Sequence, residues 1–152
     1  MSAGRGVRAS IATSTVVAAS PSEVFKYLTN RKYHYLWNPQ IYSISPMGPL
    51  KLGSKYETES LVLGVSIKSS NIVTKFVPPK EFELENKLGI VQYRTNFRLN
   101  LKADKTVVVC STTLFTEHKA FAFSVPIFKR LAKRELQTDM QALKIAVKSQ
   151  LQ

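Results

Sequence analysis

The stretch SVPIFKRLAKRELQTDMQALKIAVKSQLQ, residues 124–152, decides the fold. Its apolar residues Val125, Ala132, Leu136, Met140, Leu143, Val147 and Leu151 follow one another at steps of seven, four, four, three, four and four, so an α-helix built from them carries one continuous apolar face. Such a face must be covered. One partner is large enough: residues 50–116 read almost entirely as strands separated by turn signals. The arrangement expected is a long closing helix laid on the inner face of a curved sheet, with space between the two for a ligand.

Working back from that helix, residues 91–102 are the clearest strand. Val91, Tyr93, Thr95, Phe97, Leu99 and Leu101 alternate with Gln92, Arg94, Asn96, Arg98, Asn100 and Lys102, which gives one apolar and one solvated face. Ala103, Asp104 and Lys105 turn the chain into the β-branched run 106–116, predicting an antiparallel hairpin. Upstream, strands 55–63 and 65–77 flank Gly64, Pro78-Pro79 ends the second, and Phe82 and Leu84 alternate with Glu81, Glu83 and Glu85. Residues 9–18 read as a first strand. It ends at Ser20-Pro21-Ser22-Glu23, a helix start in which Ser20 caps free amides, Pro21 suits the first position and Glu23 completes a capping box. A second short segment, 31–40, carries Tyr33, Tyr35 and Trp37 and is stopped by Asn38-Pro39.

The chain has 152 residues, 44% of them hydrophobic, enough for one domain that buries about 70% of its unfolded surface. Residues 1–8 read as a frayed N-terminal segment and 9–152 as a single domain. With 22 Lys plus Arg against 10 Asp plus Glu, the net charge of +12 favours anionic partners such as nucleic acid, membrane surface or acidic ligands. The single cysteine, Cys110, can form no internal disulfide, and no run has the length of a signal peptide core or a membrane span, so a cytoplasmic location is expected.

Little in the sequence carries obvious chemistry. His34 and His118 share no ligand spacing, so no metal is expected, and without a Gly-rich phosphate loop no nucleotide cofactor is indicated either. Asp104 belongs to a turn, and the glutamates at spacing two read as a solvated outer face rather than as acid/base pairs. Nucleic-acid binding is disfavoured because Tyr93 and Phe97 point away from Arg94 and Arg98, which separates any stacking platform from its charges.

The order of SPSEVFKYLTN, the WNP elbow, LKLGSKYE, IVTKFVPPKEFELE, the YRTNFRLNLKADKTVVV hairpin and the closing helix resembles the START-like, helix-grip superfamily (SRPBCC), in particular its polyketide cyclase/dehydrase-type branch. The resemblance spans residues 9–150. It implies an α+β fold: a curved antiparallel sheet of six or seven strands wrapped around a long C-terminal helix, two short helices after the first strand, and a cavity for a hydrophobic ligand. It implies no single reaction, since members include lipid carriers, receptors and cyclases.

The ligand-binding residues expected on this reading are Trp37, Tyr93, Phe97, Phe123, Leu136, Met140, Leu143 and Val147. At 100° per residue from Leu136, Lys129 falls at about 20° and Lys133 at about 60°, beside the apolar stripe, whereas Arg130 and Arg134 fall at about 120° and 160°. The two lysines are therefore expected to contact an anionic group. The function expected is binding or carrying a small hydrophobic or amphipathic ligand with an acidic head. The alternative is a cyclase/dehydratase-type enzyme acting on an apolar carbonyl substrate, with catalytic residues the sequence does not identify. Phenylalanines at 121, 123 and 128 beside the basic turn also suggest peripheral membrane contact.

Overall fold

Two residues in the left-handed region, Ala103 (φ 49°) and Asp104 (φ 67°), reverse the chain between β6 (Val91–Lys102) and β7 (Lys105–Thr116). A two-residue turn of this hand matches the twist of the strands it joins, and Lys102 pairs directly with Lys105. The computed structural model describes residues 6–62 and 64–150, without the side chains of Val62, Phe121 and Gln150. Leu151 of the apolar stripe and residues 1–5 lie outside the described residues, as does the side chain of Phe121.

β1 (Val7–Val17) begins two residues earlier than expected and leads into α1 (Pro21–Thr29), where the Ser20 hydroxyl accepts the Glu23 amide at 3.3 Å. A 3-10 turn at Arg31–Tyr33 and the four-residue α2 (His34–Trp37) follow, then β2 (Ile41–Ser45), β3 (Lys55–Val62), β4 (Val65–Val77) and β5 (Glu81–Leu88). The seven strands form one antiparallel sheet in the order β1-β7-β6-β5-β4-β3-β2. From β2 to β7 the sheet is a plain meander. β1 crosses back to close against β7 along its whole length, from Val7 with Thr116 to Val17 with Thr106. A second 3-10 turn, Lys119–Ser124, delivers the chain into α3 (Val125–Gln150).

β2 is the strand the sequence did not announce. It has five residues, sits at the sheet edge and meets β3 across an irregularity between Ile41 and Ser43, so its alternation is too short to stand out. Arg31 ties this region down: its Nε donates to the Gly48 carbonyl at 2.9 Å and its Nη2 to that of Pro49 at 3.2 Å.

The register of β6 matches the expectation. Phe97 is buried, stacked 5.8 Å from Phe82 and edge-on 5.6 Å from Trp37, and Phe25 of α1 closes the same end of the sheet against Phe76 and Phe82. Arg94 and Arg98 stand on the outer face beside Glu85 and Glu81, and Asn96 donates to Glu81 at 2.8 Å and Glu83 at 3.1 Å. These glutamates thus form a cross-strand lattice with their neighbours on the outer face.

Phe97→Ala should therefore cost about 3–5 kcal/mol in chemical denaturation, through the lost aromatic volume and the void it leaves. Arg94→Ala and Arg98→Ala, which remove exposed ion pairs, should each stay within about 0.5 kcal/mol.

Candidate ligand cavity

The C-terminal half of α3 is sealed. Met140, Leu143 and Val147 are buried with Leu28, Val24 and Val17 in the common core. The N-terminal half spans a gap. Between it and the inner face of the sheet lies a cavity of about 330 Å³, within the size range of small-molecule sites.

Its deep end is aromatic. Trp37, held by donation from its indole Nε1 to the Tyr27 carbonyl at 3.0 Å, sets its ring edge-on to Phe97, with Met140 on the helix side. His34 packs edge-on to Trp37 at 4.9 Å, and its Nε2 lies 3.0 Å from the Leu28 carbonyl. Burial pushes the His34 pKa down to about 4, so the ring stays neutral at physiological pH. Toward the opening, Tyr93 and Phe128 face each other at 5.9 Å, and exposed Leu131 shares the rim with half-buried Leu88.

Between these ends the sheet wall is polar. The cross-strand row of Tyr56, Asn71, Asn86 and Tyr93 and the next row of Leu84, Thr95 and Thr112 turn their side chains inward. Most of these groups satisfy one another: Thr95 and Thr112 hydroxyls lie 3.1 Å apart, Thr58 and Ser69 2.8 Å apart, and Asn71 donates to Thr58 at 3.2 Å. Asn86 Oδ1 is buried and has no partner.

Opposite this wall, α3 contributes two carboxyls, Glu135 and Asp139, one helical turn apart. Asp139 is only 7% exposed, and its Oδ1 has no hydrogen-bond partner. Burial, then the nearby Glu135 charge, pushes the Asp139 pKa up to about 8 against a smaller opposing hydrogen bond from Gln40. Glu135 is raised by burial alone. Burial, and next the Glu135 charge, also raise Tyr93; burial and Asp139 keep the Cys110 thiol protonated, which makes it unreactive. Among the described residues that line the cavity, none is Lys or Arg, and among all described residues no group of three His, Cys, Asp or Glu is placed to hold a metal ion.

Five of the expected ligand residues therefore line the cavity: Trp37, Tyr93, Phe97, Leu136 and Met140. Three do not. Leu143 and Val147 are fully buried beyond its deep end, and Phe123, in the 3-10 turn before α3, is 91% exposed. Lys129 and Lys133 are exposed and lie outside the lining, which corrects the anionic-group contact. For Lys133 the cause is angular. The cavity face of α3 runs through Phe128, Leu131, Ala132, Glu135, Leu136, Asp139 and Met140; its middle lies about 55° to the other side of Leu136, which puts Lys129 about 75° and Lys133 about 115° away. The same count places Asp139 and Glu135 within about 45° of the middle, so the signal for them was present in the sequence and was read from the wrong origin.

Comparison with solved structures fits this geometry. A START superfamily protein from Mycobacterium smegmatis superposes with a TM-score of 0.75 at 18% identity, covering 94% of this chain and 99% of that one. The chain has the START-like helix-grip fold. An aromatase/cyclase from Streptomyces sp. R1128 superposes on the same helix-grip scaffold with a TM-score of 0.81 at 12% identity over 96% of this chain and 97% of its own. Norcoclaurine synthase from Thalictrum flavum does so with 0.71 at 15% identity over 95% and 88%. No family model and no curated protein matches the chain. Identities this low establish the helix-grip fold and not the chemistry. No helix among the described residues is long and apolar enough to cross a membrane.

The buried groups set a pH signature. Between pH 6.5, the ordinary value for His34, and about 8, folded Asp139 holds a proton that the unfolded chain, with its carboxyl near 3.8, has released. Stability should therefore fall as pH rises through that window, by about 1 kcal/mol per unit. Below 6.5 the unfolded chain protonates His34 while the folded chain does not until about 4, which offsets the Asp139 gain on the acid side. Denaturant midpoints measured from pH 5 to 9 should show this decline, and Asp139→Asn should flatten it above pH 6.5.

Proposed function

We propose that this protein binds a small amphipathic molecule in the cavity between the sheet and α3. The observation that carries the reading is the division of one cavity into an aromatic end at Trp37 and Phe97 and a polar belt in which the Asn86 and Asp139 oxygens lack partners. An apolar body buried against the first gains about 25 cal/mol per Å² removed from water. A polar group at the belt supplies donors that buried acceptors otherwise go without. An acidic head is not favoured, because the charged residues in the wall are carboxyls.

Met140→Trp tests the site. Met140 is buried but faces the cavity, so an indole can extend into the empty volume instead of straining the core. Binding of N-phenylnaphthylamine, a neutral environment-sensitive dye, should fall at least about tenfold while the melting temperature changes little. Unchanged dye binding with a sharply lowered melting temperature would reject the assignment. Native mass spectrometry of the purified protein then gives the mass of any retained ligand.

A second reading, cyclase- or dehydratase-type chemistry on an apolar carbonyl substrate, is favoured by one feature. Asp139 can keep its proton at neutral pH, as a general acid polarising a carbonyl must. In heavy water, the protein should speed deuterium uptake beside the carbonyl of bound benzylacetone, and Asp139→Asn should abolish the effect. Uptake at the uncatalysed rate would leave the binding role alone.

Exposed Phe123 and Ile127 beside Lys129 and Arg130 further support contact with an anionic membrane near the cavity rim. Flotation with phosphatidylserine vesicles, lost in Phe123→Ser with Ile127→Ser, is the expected result. Equal flotation of the variant would remove that role.

A further inference from the structure

The outside of α3 is basic, but the side it turns to the cavity is acidic. Glu135 and Asp139 stand one turn apart on that side, and the oxygen Asp139 leaves unpaired is buried. Asn86, across the cavity on β5, brings another unpaired acceptor. The Gln40 side chain engages Asp139, and its own Oε1 is likewise buried and unpaired. What the belt lacks is partners for these acceptors and any positive charge. An ammonium group has both: three N–H donors and one charge on a compact head.

We propose that Glu135 and Asp139 form the receptor for the protonated amine of a ligand whose apolar body occupies the aromatic end of the cavity. The inference rests on the cavity being a ligand site. An amine seated there pairs with the carboxylates of buried Asp139 and half-buried Glu135, where a charged contact is worth more than on the surface. Such a ligand would also meet the empty acceptors that a neutral hydrocarbon or a carboxylate would leave without donors. A carboxylate would in addition be repelled by the pair.

The head-group reaction is a proton exchange. In the free protein burial keeps Asp139 protonated near neutral pH, so binding an ammonium expels that proton to solvent and leaves an ion pair. The other titratable groups lining the cavity are His34 on α2, Tyr56 on β3, Tyr93 on β6 and Cys110 on β7. His34 is lowered and the other three are raised, so all four are neutral from pH 6 to 8. No charged residue of α1 or β1 lines the space. Any pH dependence of amine binding in that range therefore belongs to the carboxyl pair.

The test compares three ligands with one tail, decylamine, decanol and decanoate, by displacement of N-phenylnaphthylamine from the full chain. At pH 8 decylamine should bind at least about tenfold more tightly than decanol, and decanoate more weakly than either. From pH 6 to 8 the decylamine affinity should rise about tenfold per unit while that of decanol stays flat. Calorimetry in two buffers of different ionisation enthalpy should detect release of about one proton per amine at pH 7. Glu135→Gln with Asp139→Asn should make amine and alcohol equal. The pH series and the proton count use the unmodified protein and stand even if that variant does not fold.

If decanol binds as tightly as decylamine at every pH, or decanoate binds best, the amine receptor is wrong while the ligand cavity stands. If none of the three displaces a dye that is itself bound, the cavity reading and this inference fall together.

Discussion

The structure depends on how one helix divides its contacts. α3 is 26 residues long, but the aromatic cluster of Phe25, Phe76, Phe82 and Phe97 fills only one end of the space beneath it. Where Leu143 and Val147 lie, helix and sheet close completely. Where Ala132 and Leu136 lie, the sheet offers hydroxyls and amides, most of which are already paired with each other. Such a wall has no need of the helix and gives it little apolar surface to cover, so the space stays open.

Most of this was legible in the sequence. Period-two alternation from Val91 to Lys102 fixed which side of β6 faces inward, and Phe97 and Arg98 occupy the sides it assigned. The Ser20 cap, the turn at Asp104 and the helical stripe were equally plain, because each is a local signal whose cause lies within a few residues. The candidate site was legible only in part. Trp37, Tyr93, Phe97, Leu136 and Met140 announce themselves as apolar, but Asn71, Asn86, Thr95 and Thr112 are inward-facing polar residues that alternation alone reads as ordinary strand members. Recognising them requires the cross-strand pairing of β4 to β7, which no local pattern contains.

Charge on α3 shows how finely helical geometry sorts function. Arg134 and Glu135 are neighbours in sequence, yet the turn of about 100° between them puts the arginine in water and the glutamate in the cavity wall. The net charge of +12 therefore describes the surface met by large partners and says little about the interior met by a small one. Counting charges along the chain merged two environments that the fold keeps apart.

The pairing of β1 with β7 bears on how the molecule assembles. Val17 lies opposite Thr106, whereas β2 to β7 pair with their sequence neighbours. The meander can form through short loops whose closure entropy is small, but the first strand must wait until residue 116 of 152 before its partner is complete. Of the seven strands it emerges first on the ribosome and pairs last. During that interval its apolar side, with Ile11 and Val17, is uncovered, and α3 lacks part of the surface it rests on, since the helix packs chiefly against β1. The first strand and the closing helix thus complete each other in a single late step, and until it occurs the helix wall of the cavity lacks part of its support.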